Sequence, residues 1–220
     1  MEKTSQITNP IVTDYLNRFY SPLNPQMMNL RLSAEQDGIP IILRETESFL
    51  AVLLSIIHPE RILEIGTAVG YSAAYFAQKT GAEVVTIEKS AEMYRQASCN
   101  ISSLGLSGKV RILQGDGEEQ IKLLSEKMEK AFDFIFIDAA KSHYQRFLDA
   151  AIHLTHPGSV IVSDNVLFRG TVADLQEETD RRHRTSIRRM QEYLEYLFHH
   201  PALESGLVSC GDGLSVSLVK

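Results

Sequence analysis

The sequence predicts an α/β protein built on a mostly parallel sheet. Two patterns carry that prediction. From Arg61 onward, short apolar runs alternate with longer helical segments, and the chain closes on a hairpin signal. Such alternation produces βαβ units, whose crossover helices cover both faces of a parallel sheet.

The elements follow in order. Residues 1–58 read as helices: Ile11, Tyr15, Leu16 and Phe19 share one helical face, and Phe49, Leu50, Leu53, Leu54 and Ile57 form a second apolar stripe. The proline-rich stretch Ser21-Pro22-Leu23-Asn24-Pro25 reads as the loop between them. Five apolar runs then suggest strands over residues 62–65, 84–87, 110–113, 132–137 and 160–163, with helices over 72–79 and 91–104 between them. Residues 206–210, a Gly211-Asp212-Gly213 turn and residues 214–219 read as an antiparallel hairpin, since Asp-Gly favours tight hairpin turns. No repeat or linker divides the chain, so 1–220 is read as one domain, with N-terminal helices over 1–58 and an α/β core over 59–220.

Composition narrows the function classes. Hydrophobic content of 44% and charged content of 23% are ordinary for a soluble globular protein. The longest apolar stretch, 49–57, is too short to span a bilayer, and the N-terminus carries no signal-peptide core. No membrane role and a cytoplasmic location are expected. Cys99 and Cys210 show neither disulfide nor zinc spacing. The net charge of −6 argues against a protein coated for nucleic-acid binding but leaves room for a local basic patch.

Two of the apolar runs end in oxygen ligands. One delivers Asp138, the other Asp164 and Asn165, and as parallel strands both would open at the carboxyl edge of one sheet, where α/β sheets bind ligands. Two carboxylates and an amide oxygen suit a hard cation such as Mg²⁺. Asx residues also serve as strand-end caps and turns, so each pair alone has a plain structural reading. A glycine loop, Glu64-Ile65-Gly66-Thr67-Ala68-Val69-Gly70, joins the first strand to a helix whose N-terminus near Ser72 offers free N–H groups to an anion. Its GxxxG spacing departs from the dinucleotide fingerprint. Glu88, at the end of the second strand, could accept from ribose hydroxyls or cap the next helix, and Gly115-Asp116-Gly117, after the third, could border an adenine or form a turn.

Taken together, EIGTAVGYS, Glu88, the GDG after the third strand, IDAAK and SDN resemble the metal-dependent O-methyltransferases, which include the catechol and caffeoyl-CoA enzymes. The resemblance extends from about residue 40 to the final hairpin, in motif order and spacing. It implies a Rossmann-like fold with a seven-stranded, mostly parallel sheet, a reversed C-terminal hairpin and extra N-terminal helices. It implies S-adenosyl-L-methionine as cofactor, held by Glu64, Gly66, Ser72 and the backbone near Ile42, with Glu88 on the ribose, Gly115, Asp116 and Gly117 beside adenine, and Asp138 at the same site. Asp138, Asp164 and Asn165 would ligate Mg²⁺, with Mn²⁺ equally suited, and Lys141 falls where the family places its general base. Family members often form homodimers, so a homodimer is expected.

Two acceptor classes fit: a small catechol or phenylpropanoid, or a hydroxylated nucleoside in RNA. The segment VLFRGTVADL, the arginine-rich stretch after it and GDGLSVS resemble the tRNA 5-hydroxyuridine methyltransferase branch, which implies the tRNA anticodon stem-loop as partner. Arg181, Arg182, Arg184, Arg188 and Arg189 place five arginines in nine residues, and with Arg169 they could form a cationic rim for RNA phosphates. The acidic residues Asp174, Glu177, Glu178 and Asp180 could instead pair with them on a solvated helix. His143 reads as a substrate-wall or surface residue; His183, His199 and His200 show no ligand spacing.

Overall fold

The computed structural model describes residues 7, 9–127, 130–173 and 181–220, without the side chains of residues 169 and 181–183. Three helices lead: α1 (Pro10–Asn17), α2 (Pro25–Gln36) and α3 (Arg44–Ile57). Pro25 is not the end of a loop but the first residue of α2, where its missing N–H is harmless and Asn24 caps the Met27 N–H at 2.9 Å. The core then runs β1 (Arg61–Ile65), α4 (Tyr71–Thr80), β2 (Glu83–Glu88), α5 (Ala91–Ser103), β3 (Val110–Gln114), α6 (Gly117–Glu126), β4 (Phe134–Ile137), α7 (Tyr144–Ala151), β5 (Val160–Ser163), α8 (Arg181–Phe198), β6 (Leu203–Val208) and β7 (Leu214–Val219).

The seven strands form one sheet in the order β3-β2-β1-β4-β5-β7-β6. Strands β1 to β5 are parallel, and β7 runs antiparallel between β5 and β6. Neighbouring residues of each central strand serve opposite layers. Leu63, Ile135 and Ile161 pack with Ile121, Leu148 and Tyr193 of the α6, α7 and α8 layer. Ile62, Phe134, Phe136 and Val162 pack with Met27, Leu50 and Phe76 of the layer made by the leading helices and α4. Phe76 meets Phe134 and Phe136 edge-on at 5.8 and 5.3 Å between ring centroids, a favoured aromatic geometry. Ile11, Phe19, Val52 and Ile56 of the leading helices remain exposed.

Strand β4 starts two residues later than its apolar run suggests, because Asp133 has another task. Its Oδ2 accepts the Glu60 and Arg61 N–H groups at 2.8 Å each, and its Oδ1 lies 2.9 Å from His156 Nε2. One carboxylate thereby ties together the amino ends of β1, β4 and the turn into β5. These bonds and His156 hold its carboxyl below the usual range against the opposing effect of burial, which is the first influence on it. Asp133→Ala leaves two strand-end N–H groups without their acceptor, and it should lower stability by ~1–3 kcal/mol in urea denaturation while leaving the opposite sheet edge intact.

Candidate active site

All five parallel strands end on one edge, and a cavity of about 580 Å³ opens there. Its lining includes Ile42, Gly66, Ser72, Glu88, Gly115, Asp116, Gly117, Asp138, Lys141, Asp164 and Asn165. Of the cavity residues expected from sequence, only Glu64 does not reach the surface of the cavity; it lies buried beneath the loop at residues 65–68. A cavity of about 610 Å³ at the opposite edge, lined by His58, Arg61, Lys79 and Lys109, contains none of these residues.

The glycine loop is shaped by close approach. Gly66 has φ +104°, and a Cβ there would stand 1.9 Å from the Asp138 carbonyl oxygen. Only glycine lets the end of β1 lie against the end of β4. Ala68 takes a left-handed φ of 47° and donates its N–H to Glu88 Oε2 at 2.9 Å. Glu88 also accepts from the Ser90 N–H at 2.6 Å; the cap of α5 is Ser90 itself, not Glu88 as one sequence reading allowed, and Glu88 faces the cavity. Asp116 turns toward α6, accepting the Glu118 N–H at 3.1 Å and Lys89 Nζ at 3.0 Å. The Lys89 ammonium holds its carboxyl below the usual range. Its contribution to the cavity is a wall and a helix cap.

Glu64 is fully buried, and its Oε2 accepts the Thr86 hydroxyl at 2.5 Å. Its Oε1 has no hydrogen-bond partner among the described residues. Burial pushes this carboxyl up to about 8, the Ser72 and Thr86 hydroxyls draw it partway back, and the charges of Asp138 and Glu88 add to the rise. A carboxyl group buried beneath the cavity wall favours a cation bound nearby.

The acidic end of the cavity follows from strand register. Ile137 pairs with Ser163, so the next residues, Asp138 and Asp164, leave adjacent strands side by side. Burial raises the carboxyl pKa of both. Asp138 raises that of Asp164 further, Asp212 adds to each, and Lys141 opposes the rise. Asn165 sits at φ 56°, a left-handed conformation asparagine tolerates, and its N–H donates to Asp164 Oδ1 at 2.6 Å. Lys141 Nζ donates to Asn165 Oδ1 at 3.2 Å and lies 5.7 Å from the Phe168 ring centroid. Among the described residues no group of three or more His, Cys, Asp and Glu side chains is poised for a metal; the donor set is two carboxylates and an amide. That set fits a hard divalent cation, which would relieve the repulsion between the two acids.

Asp212 is the cavity residue that sequence reading missed, having been taken as part of a hairpin turn. Because β7 is reversed, its amino end meets the carboxyl ends of the parallel strands, and Leu167 N–H donates to the Asp212 carbonyl at 3.1 Å. His143 lines the cavity with its ring 5.9 Å from that of Phe147, as a wall residue should.

The basic helix borders this end. Helix α8 packs on the 3-10 turn Lys141–His143, and Arg189 Nη1 donates to the Ser142 carbonyl at 3.2 Å. Arg184, Arg188 and Arg189 are exposed, while Ile187, Met190 and Tyr193 turn inward. The side chains of Arg169, Arg181 and Arg182, and the acidic residues 174–180, lie outside the described residues.

Comparison with known proteins agrees with this geometry. The model of a family described as "O-methyltransferase" matches residues 23–220. A catechol O-methyltransferase from Mycobacterium tuberculosis is 30% identical over 179 residues, 78% of this chain and 77% of that protein. A Staphylococcus aureus structure provisionally described as a caffeoyl-CoA O-methyltransferase superposes with a TM-score of 0.90 at 31% identity, covering 96% of this chain and all of that one. An O-methyltransferase from Bacillus cereus in complex with SAH superposes with a TM-score of 0.84 at 26% identity over the full length of both chains.

The raised Glu64 carboxyl has a measurable sign. Between its unfolded value of ~4.3 and about 8, the folded protein holds a proton that the unfolded chain has released, so stability falls as pH rises across that window. Glu64→Gln removes this term. Its unfolding free energy, measured by urea titration from pH 5 to 8 without ligand, should fall less steeply than that of the unsubstituted chain, by up to ~1.4 kcal/mol per pH unit.

Proposed function

The chain belongs to the O-methyltransferase family, and from that premise we propose that it transfers a methyl group from S-adenosylmethionine to O5 of 5-hydroxyuridine at the tRNA wobble position, giving 5-methoxyuridine. The observation that carries the acceptor is the arginine-bearing α8 packed against the Lys141–His143 turn, with Arg189 anchored to the Ser142 carbonyl. A cationic face bordering the acidic end of the cavity suits an acceptor embedded in a phosphate backbone better than a free phenol.

Bound S-adenosylmethionine supplies an electrophilic methyl on a sulfonium, and a divalent cation held by Asp138, Asp164 and Asn165 supplies Lewis acidity toward an acceptor with paired oxygens. The chain's own residues do the rest. Glu64 does not line the cavity, and it would place a carboxyl group behind Ser72 that favours the cofactor's ammonium from beneath the wall. Glu88 keeps acceptor capacity on both oxygens for the ribose hydroxyls while its two backbone bonds fix its direction. The Gly66 approach brings the loop beneath the donor against the strand that carries Asp138, so donor and acceptor are aligned by one rigid edge. Lys141, oriented by Asn165 and beside the Phe168 ring, takes the acceptor hydroxyl proton on Nζ when it stands as the neutral amine, and becomes the ammonium. The exposed apolar residues of α1 and α3 support self-association through the leading helices. No described helix is long and apolar enough to cross a membrane.

A second acceptor, a small catechol or phenylpropanoid, is favoured by the similarity to the M. tuberculosis catechol O-methyltransferase and to the S. aureus structure described as a caffeoyl-CoA O-methyltransferase. The two separate in a single assay that offers labelled cofactor and Mg²⁺ with tRNA carrying 5-hydroxyuridine or with catechol. Labelled 5-methoxyuridine after nucleoside digestion is the expected product. Label in catechol alone would sink the tRNA reading. Lys141→Met should lower kcat about 10²–10⁴-fold with the KM for cofactor little changed. Arg188→Ala with Arg189→Ala should raise the KM for tRNA and flatten its salt dependence, with a smaller effect on catechol methylation.

A further inference from the structure

Arg31, on α2, is only 2% exposed, and its guanidinium is saturated with partners. Its Nε donates to the Tyr20 and Tyr71 hydroxyls, both at 3.1 Å. Its Nη2 donates to Glu47 Oε2 at 2.5 Å and to the Ile42 carbonyl at 3.0 Å, and Nη1 reaches Glu35 Oε1 at 3.5 Å. Glu47, equally buried on α3, accepts in turn from Tyr71 at 2.7 Å and Tyr20 at 3.0 Å. The guanidinium carbon also stands 4.6 Å from the Tyr71 ring centroid.

Two of these partners are walls of the catalytic cavity. Ile42 belongs to the irregular stretch at residues 40–43 that lines one side, and Tyr71 opens α4 beside Ser72 on the other. The cluster is therefore in contact with the cavity from behind. A planar, multi-donor cation is suited to fixing several acceptors at set angles, which a lysine cannot do. Burying such a pair gives little net stability compared with an apolar filling of the same volume, so stability alone is a poor reason for it to be there.

We infer that Arg31 is a positioning residue for cofactor binding: its bonds to the Ile42 carbonyl and Tyr71, fixed by Glu47, hold the 40–43 stretch and the head of α4 at the separation that the amino-acid end of the cofactor requires. The inference rests on the reading of this cavity as the S-adenosylmethionine site. Without the clamp, the binding-competent arrangement is one of several, and apparent affinity falls in proportion to its population.

The test is calorimetric titration of SAH into the purified chain, its Arg31→Lys variant and a double variant, Arg31→Met with Glu47→Met, which removes the ion pair while filling its space. Stability is followed in parallel by urea denaturation. Arg31→Lys keeps the charge but cannot serve Glu47, Ile42 and Tyr71 together, and the double variant keeps the packing but loses the Ile42 bond. Both should bind SAH about tenfold or more weakly while folded, with kcat at saturating cofactor within about twofold of the starting protein. Tyr71→Phe deletes a single hydroxyl and should weaken binding about threefold, which keeps the inference testable if the larger changes prevent folding. Unchanged SAH affinity in a folded Arg31 variant, or in Tyr71→Phe, would show the cluster to be structural only and overturn the proposal. Failure of the unsubstituted chain to bind SAH would instead remove the cofactor reading, and this inference with it.

Discussion

The pairing of Ile137 with Ser163 decides where the acidic end of the cavity lies. It sets two acidic side chains at the ends of neighbouring strands, Asp138 half-buried and Asp164 nearly excluded from water. Neither gains from the other in the absence of a cation, and burial opposes the charge of both. The arrangement persists because the sheet is held by apolar contacts far from the edge: Phe134, Phe136, Ile135 and Ile161 are almost completely buried. A slip of one residue in that register would turn each strand's side chains to the opposite face. The stable middle of the sheet thus holds an unfavourable but useful juxtaposition at its rim.

The same logic applies along the rest of that edge. Cavity-lining positions stand where strands stop, at Glu88 on the last position of β2, Gly115 after β3 and Asp138 after β4. Glu64 differs, since it sits within β1 and is fully buried. It stays tolerable because Thr86 on the paired position of β2 donates to one oxygen.

Much of this was legible in the sequence, and the losses have physical reasons. The parallel runs, the glycine loop and the strand-end Asx residues announce themselves because β-period, glycine and Asx signals are local. Helix α2 fell within the stretch read as helical but showed no apolar stripe of its own, because its inward positions include Arg31, a residue whose type reads as surface. Asp212 escaped because a turn looks the same whether it faces water or a cavity; only the reversal of β7 brings it to the ligand edge. Asp133 was read as strand because nothing in a run of alternating apolar residues distinguishes a pleat from a cap that spans two neighbouring strands. The two readings of Glu88 do not exclude one another, since one carboxylate has lone pairs enough for backbone N–H groups and for a further donor.

Strand β7 makes the rim depend on the far side of the sheet. It lies inside the sheet, and among the described residues β6 pairs only with β7. Asp212 reaches the cavity through the turn that leads into β7, so whatever loosens the pairing of Leu214–Val219 with β5 also withdraws a carboxyl group from the acidic rim. The outer hairpin and the cavity are in that sense one mechanical unit.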